Sequence, residues 1–147
     1  MLDRGALSHA IDQLADYARE REVELVAAAE ARGFILGGAV AQRIGAGFIP
    51  ARKQGKLPWQ THSVEYVLEY GVDALEMHRD AIAGGARVLV HDDLIATGGT
   101  AAALCDLIEK AGGVVAGCAF VIELAFLGGR AALHNRDVRS LVVYEAE

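Results

Sequence analysis

The residues best suited to chemistry lie together in Val88 to Thr100, VLVHDDLIATGGT. Val88 to Val90 read as a buried strand of the parallel-sheet type. Two adjacent acids, Asp92 and Asp93, follow at its carboxyl end, and Ala96-Thr97-Gly98-Gly99-Thr100 then runs into a helix. A turn of small residues at a helix start exposes backbone N–H groups and the positive end of the helix dipole, which suits a phosphate. Thr97 and Thr100 add hydroxyl donors. The carboxylates are poorly placed to grip that same phosphate, but they suit hydroxyl groups such as a ribose diol beside it. The residues therefore predict a sugar-phosphate site, with the acids on the diol and the loop on the 5′-phosphate. The segment has neither the G-x-x-x-x-G-K-[ST] pattern of an ATP loop nor the G-x-G-x-x-G of a dinucleotide fold.

Other residues are less specific alone. Arg52, Lys53 and Lys56 are three cations within RKQGK, readable as a solvated loop or as an anion site. His9, His78 and His134 show no ligand spacing, so no zinc site is expected. Trp59 and His62 read as surface residues. Cys105 and Cys118 both sit in apolar stretches and read as reduced core thiols; two cysteines exclude a disulfide scaffold and a four-cysteine zinc site. Glu123 ends an apolar strand, with a place at the edge of an active site as one option.

The elements that must position these residues alternate. Ser8 to Arg21 has helical apolar spacing with Ser8 as N-cap. Val23 to Ala29 reads as a strand, Phe34 to Ile44 as a helix closed by Gly45 and Gly47, and Phe48 to Ala51 as a short strand. Arg52 to Ser63 is polar and without helical period. Val64 to Tyr70 and Ala74 to His78 flank Gly71-Val72-Asp73, a hairpin signature. After the Gly84-Gly85 turn and the strand at Val88 comes an amphipathic helix, Ala101 to Ala111, stopped by Gly112-Gly113. Val114 to Leu124 and Leu141 to Tyr144 complete the strands. Strands alternating with helices imply an α/β domain with a mainly parallel sheet and a ligand at the carboxyl ends of its strands. The 147 residues suit one domain, 1–147, and 53% hydrophobic against 23% charged residues excludes a disordered chain. A net charge of −6 without a Lys/Arg run argues against nucleic acid as a partner. With no apolar stretch long enough to span a bilayer and no leader-like start, no membrane partner and a cytoplasmic location are expected.

The strand, acid pair and A-T-G-G-T turn resemble the signature of the type I phosphoribosyltransferases, which use phosphoribosyl diphosphate (PRPP). EARGF at Glu30 to Phe34, RKQGKLP at Arg52 to Pro58, LEYG at Leu68 to Gly71, LEMHRDAI at Leu75 to Ile82 and LGG at Leu127 to Gly129 are similar to the adenine phosphoribosyltransferases in order and spacing. The resemblance runs from Asp3 to Tyr144. It implies a purine phosphoribosyltransferase of the salvage type, converting adenine and PRPP to AMP and diphosphate. It implies PRPP binding by Asp92, Asp93, Ala96, Thr97, Gly98, Gly99 and Thr100. Diphosphate binding falls to the loop cations Arg32, Arg52, Lys53 and Lys56, which would stabilise the leaving group as its charge grows. The catalytic residues it implies are Glu69, an acid/base candidate near the purine, Tyr70 beside it, and Arg52. Thr61 to Tyr70 would form a mobile loop whose closure excludes water. Mg²⁺ is the implied cofactor, carried in by PRPP rather than held at a metal site of the chain, and a homodimer is the implied assembly. His91 stands where the family usually has an aliphatic residue and is read as a tolerated variation rather than a base.

One part of the family pattern has no counterpart. Adenine phosphoribosyltransferases carry a Phe-Arg-Asp motif before the first long helix, and this chain contains no Phe-Arg-Asp. The PRPP half of the site is expected to be complete and the base-covering half incomplete. Two further readings follow from that expectation: a non-catalytic PRPP- or nucleotide-binding regulatory module, and a phosphoribosyltransferase of altered base specificity.

Overall fold

The computed structural model describes residues 2–68 and 71–146. Its elements run α1 (Arg4–Glu20), β1 (Leu25–Ala29), α2 (Gly33–Ile44), β2 (Gly47–Lys53), β3 (Thr61–Leu68), β4 (Gly71–His78), β5 (Arg87–Ile95), α3 (Gly99–Lys110), β6 (Val114–Leu124) and β7 (Val138–Tyr144). Two short 3-10 turns, Ala125–Leu127 and Gly129–Leu133, join β6 to β7.

The strands form one seven-stranded sheet in the order β3-β4-β2-β1-β5-β6-β7. The five strands from β2 to β7 pair in parallel, and the β3–β4 hairpin is added antiparallel beside β2. This is the expected α/β architecture. The faces follow from strand alternation. Val26, Leu89 and Ala119 pack against Leu14, Ala18, Val40 and Ala41 of α1 and α2. Ala27, Val88, Val90, Cys118 and Phe120 pack on the other face with Leu104, Leu107 and Ile108 of α3. After β2 the chain places β5 on the opposite side of β1, so the order reverses between β1 and β5. A crevice at the carboxyl ends of such strands is the usual ligand position in an open α/β sheet.

Several elements differ from the sequence expectation. Helix α1 starts before Ser8, because the Asp3 carboxylate is the N-cap and accepts from the Ala6 N–H at 2.7 Å. Strand β2 continues through Arg52 and Lys53, which pair with Glu76 and Leu75 of β4; these two cations therefore stand on a strand end rather than in a loop. Strand β5 continues past Val90 to Ile95, because β6 pairs with it as far as Ile95↔Glu123. Asp92 and Asp93 thus belong to the strand. Gly71-Val72-Asp73 also lie in a strand, since β3 and β4 stay in register to Leu68↔Gly71. The first hairpin strand, expected from Val64, starts three residues earlier at Thr61, because Thr61, His62 and Ser63 pair with His78, Met77 and Glu76.

Candidate active site

The carboxyl ends of β1, β2 and β5 open into two adjoining clefts that share Arg32, Asp92, Asp93 and Thr100. One, about 210 Å³, is walled by Asp92 through Ala101 and by Arg32. The other, about 350 Å³, is lined by Glu30, Ala31, Arg32, Lys53, Tyr66, Asp73 and Leu75 on its far side. The acid pair stands at the junction.

The acid pair is tightly held. The Asp92 carboxylate accepts the Asp93 N–H at 2.8 Å, and α2 passes so close that a side chain at Gly33 would meet Asp92 Oδ1 at 2.8 Å. Burial pushes Asp92 up to about 7, with the neighbouring Asp93 carboxylate adding to the rise and the Asp93 N–H and Arg32 opposing it. Arg32 Nε donates to Asp93 Oδ2 at 2.6 Å.

The turn that follows is built for backbone donors. Gly98 is the N-cap of α3 with φ 83°, in the left-handed region. It also lies against the 3-10 turns after β6: a Cβ at Gly98 would meet the Gly129 carbonyl at 2.3 Å, and one at Gly129 would meet the Ala96 carbonyl at 2.3 Å. The second turn is fixed in its place by Arg130, whose Nε and Nη2 donate to the two carboxylate oxygens of buried Glu123 at 2.7 Å each. Glu123 therefore anchors the buttress behind the loop rather than standing at the edge of the cleft. Gly129 of the LGG segment and Gly98 of the phosphate turn are the glycines that let the two loops touch.

Each cation expected at the site has an acid partner. Arg32 pairs with Asp93, and Lys53 Nζ lies 3.0 Å from Asp73. Arg52 Nε and Lys56 Nζ lie 3.5 and 3.4 Å from Glu30, whose carboxylate also accepts the Lys53 N–H at 2.6 Å. Burial works to raise Glu30, yet the Lys53 amide and the two cations hold it below the usual carboxylate range. Lys53 and Arg32 line the clefts; Arg52 and Lys56 are turned to Glu30 at the rim, with Arg52 also donating to the Lys56 carbonyl at 3.1 Å. Glu76, buried on β4, accepts the Gly55 N–H at 3.0 Å and fixes the same turn.

The family model described as phosphoribosyl transferase domain covers residues 4–140. The adenine phosphoribosyltransferase of Clostridium acetobutylicum is 50% identical over 142 residues, which is 97% of this chain and 83% of that one. The chain belongs to the adenine phosphoribosyltransferase family. Among solved structures of that family, the enzyme of Thermoanaerobacter pseudethanolicus superposes with a TM-score of 0.93 at 48% identity, over 97% of this chain and 83% of that one. The Saccharomyces cerevisiae adenine phosphoribosyltransferase, solved with an imino-altritol bisphosphate and adenine, gives 0.90 at 38% identity over 95% and 81%.

Of the residues that the adenine phosphoribosyltransferase resemblance singled out, the clefts bring together Arg32, Lys53, Asp92, Asp93, Ala96, Thr97, Gly98, Gly99 and Thr100. Glu69 and Tyr70 lie outside the described residues. Sequence reasoning missed Asp73 and Tyr66, which line the cleft as direct cross-strand partners on β4 and β3. In the sequence Tyr66 carried a signal only for a hairpin strand and Asp73 only for the turn beside it. His91 is fully buried, with Nδ1 on the Ala119 carbonyl at 2.9 Å, Nε2 unpartnered, and burial depressing its pKa to about 4. It is thus a neutral core residue. Cys105 and Cys118 are free, buried thiols with Sγ atoms 3.8 Å apart. Trp59 is exposed, and His78 is occupied by the Pro58 carbonyl at 2.8 Å.

Proposed function

We propose that this protein transfers the 5-phosphoribosyl group of PRPP to adenine, releasing AMP and diphosphate, in purine salvage. The observation that carries the reading is the juxtaposition of Asp92 and Asp93 with the Ala96–Thr100 turn in one crevice, in a chain half identical to adenine phosphoribosyltransferases along nearly its whole length.

Each residue is assigned a role from its chemistry. Asp92 and Asp93 accept hydrogen bonds from the ribose hydroxyls. The amides of Ala96 through Thr100, with the Thr97 and Thr100 hydroxyls and the α3 dipole, hold the 5′-phosphate. Ribosyl transfer develops positive charge on the sugar ring and negative charge on the departing diphosphate. The acid pair suits the ring, and Lys53 with Arg32, the latter beside Asp93, lines the same cleft and suits the diphosphate. Arg52 and Lys56 are assigned to the diphosphate from the rim. Glu69 is assigned proton handling near the purine, and Tyr70 is assigned to covering the site. Two carboxylates with one arginine between them have spare acceptor capacity, so the donor set fits a hydrated cation that arrives with its ligand. Mg²⁺ carried in on the diphosphate supplies Lewis-acid neutralisation of the leaving group. We assign residues 1–147 to one domain, a homodimer as the assembly and the cytoplasm as the location. Among the described residues no helix is long and apolar enough to cross a membrane.

The test is an assay of purified protein with PRPP, Mg²⁺ and each common purine base. AMP and diphosphate formed with adenine support the reading. Product from another base moves the base specificity, and PRPP binding by calorimetry with no turnover on any base replaces the enzyme with a sensor.

A further inference from the structure

Lys53 is held at both ends. Its N–H is anchored by Glu30 at 2.6 Å, and its ammonium group lies 3.0 Å from the Asp73 carboxylate across the β2–β4 pairing. Asp73 is itself fixed. Its Oδ1 accepts the Ala74 N–H at 2.8 Å, and Tyr66 stands directly opposite it on β3. Thr100 of the phosphate turn lines the cleft beside them. All four side chains line the same cleft. A lysine stem of four carbons has many rotamers, and an exposed ion pair contributes little to stability. A pair with these anchors does something else: it selects the rotamer that aims the ammonium group into the cleft.

We propose that Asp73 is a positioning residue that preorients Lys53 toward the diphosphate group of the substrate. The inference rests on the proposed function and adds a residue to it. Asp73 touches no reacting atom; it acts through Lys53. Its own negative charge opposes a bound diphosphate, so the direction of the effect decides between positioning and plain electrostatics. Only ligands that carry a diphosphate group sense it. AMP, which occupies the acid pair and the phosphate turn without a diphosphate, does not.

The experiment measures binding of AMP and of inorganic diphosphate with Mg²⁺ by calorimetry to the wild type, Asp73→Ala, Asp73→Glu, Lys53→Met and the double variant. Diphosphate affinity is expected to fall about tenfold in Asp73→Ala, the fold-change for immobilising one rotamer-rich side chain anew. AMP affinity stays unchanged, Asp73→Glu recovers most of the loss, and Asp73→Ala adds nothing in the Lys53→Met background. Unchanged or tighter diphosphate binding by Asp73→Ala overturns the assignment. So does an equal loss for AMP, which marks a general structural role, or full additivity with Lys53→Met. A wild type that binds neither ligand overturns the functional reading and the inference with it.

Discussion

Replacing Asp92 by Asn should make the protein more stable and nearly unable to bind PRPP. The carboxyl rises from its ordinary 3.8 to about 7 because the fold buries it beside Asp93. Between those two values the folded chain keeps a proton that the unfolded chain has released. Stability therefore falls as pH rises from about 4 to about 7 and is flat above. The ceiling of that loss is about 4 kcal/mol, at about 1.4 kcal/mol for each pH step. Relaxation around the pair reduces it, and we expect Asp92→Asn to gain about 2 kcal/mol at pH 8, roughly 5 °C in Tm. The amide oxygen still accepts the Asp93 N–H, so the strand end keeps its geometry.

The wild type alone does not isolate this slope. His91, depressed to about 4, protonates in the unfolded chain first and so destabilises the fold as pH falls from about 6.5 to 4. The two trends oppose each other over the same window. The informative quantity is the difference between wild type and Asp92→Asn in urea unfolding, at pH 4.5 and at pH 8. It should be about 0.5 kcal/mol at the lower pH and about 2 kcal/mol at the higher one. A variant less stable than wild type at pH 8, or a difference that does not grow with pH, refutes the reasoning. Ligand binding runs the other way. Hydroxyl donors need the ionised acid, so wild-type PRPP affinity should weaken as pH drops below about 7, by up to about tenfold per pH step. Above that pH Asp92→Asn should bind about a hundredfold more weakly, as expected when a charged acceptor is lost, and the gap should close as pH falls.

Gly98→Ala should cost about 3 kcal/mol or more, combining left-handed strain with a methyl 2.3 Å from the Gly129 carbonyl, and should abolish AMP binding; an intact AMP affinity by calorimetry would contradict the packing described. His91→Leu should remove the acid-side loss and raise stability at pH 5 by about 1 kcal/mol, since an unpartnered buried acceptor is replaced by an apolar group; unchanged unfolding at pH 5 counts against it. Glu123→Ala releases Arg130 and with it the turn behind the phosphate loop. It should lower Tm and weaken AMP and PRPP binding together, while equal affinity for both would leave the ion pair a role in stability alone.

What was legible in the sequence was whatever a local pattern could carry. The Val114–Leu124 strand has the bounds its apolar run suggests, and α3 differs from its expected range only at the ends. The phosphate turn was legible because its small residues, acids and strand are contiguous. The misplaced ends have one cause. Strands β2 and β5 run on into polar residues because a neighbouring strand is there to pair with them, and pairing is a tertiary fact. Arg52, Lys53, Asp92 and Asp93 have the composition of a loop and the hydrogen bonding of a strand. Asp3 displaced Ser8 as a cap although both are good capping residues, since nothing local ranks one above the other. The links that define the site, Lys53 to Asp73, Arg32 to Asp93 and Arg130 to Glu123, join residues brought together only by the sheet and its turns.

Those links also say how a ligand must enter. Arg32 sits on Asp93, Lys53 on Asp73, and Arg52 and Lys56 on Glu30, so the cations reach the cleft already neutralised. On the proposed assignment a diphosphate alone would have to compete with Asp93 for Arg32 and with Glu30 for Arg52 and Lys56. A ribose alone offers hydroxyls to acids that are partly engaged and, at Asp92, partly protonated. PRPP with its magnesium brings both at once. On the proposed assignment its diphosphate would draw Arg32 away from Asp93 as its hydroxyls take up the acid pair, so each released charge would meet a new partner in the same event. Coupling of this kind makes the two halves of the substrate bind better joined than the sum of their separate affinities suggests. Breaking the Arg32–Asp93 pair in advance, with Arg32→Gln, should therefore weaken PRPP far more than it weakens AMP, because AMP needs the acids but not the arginine.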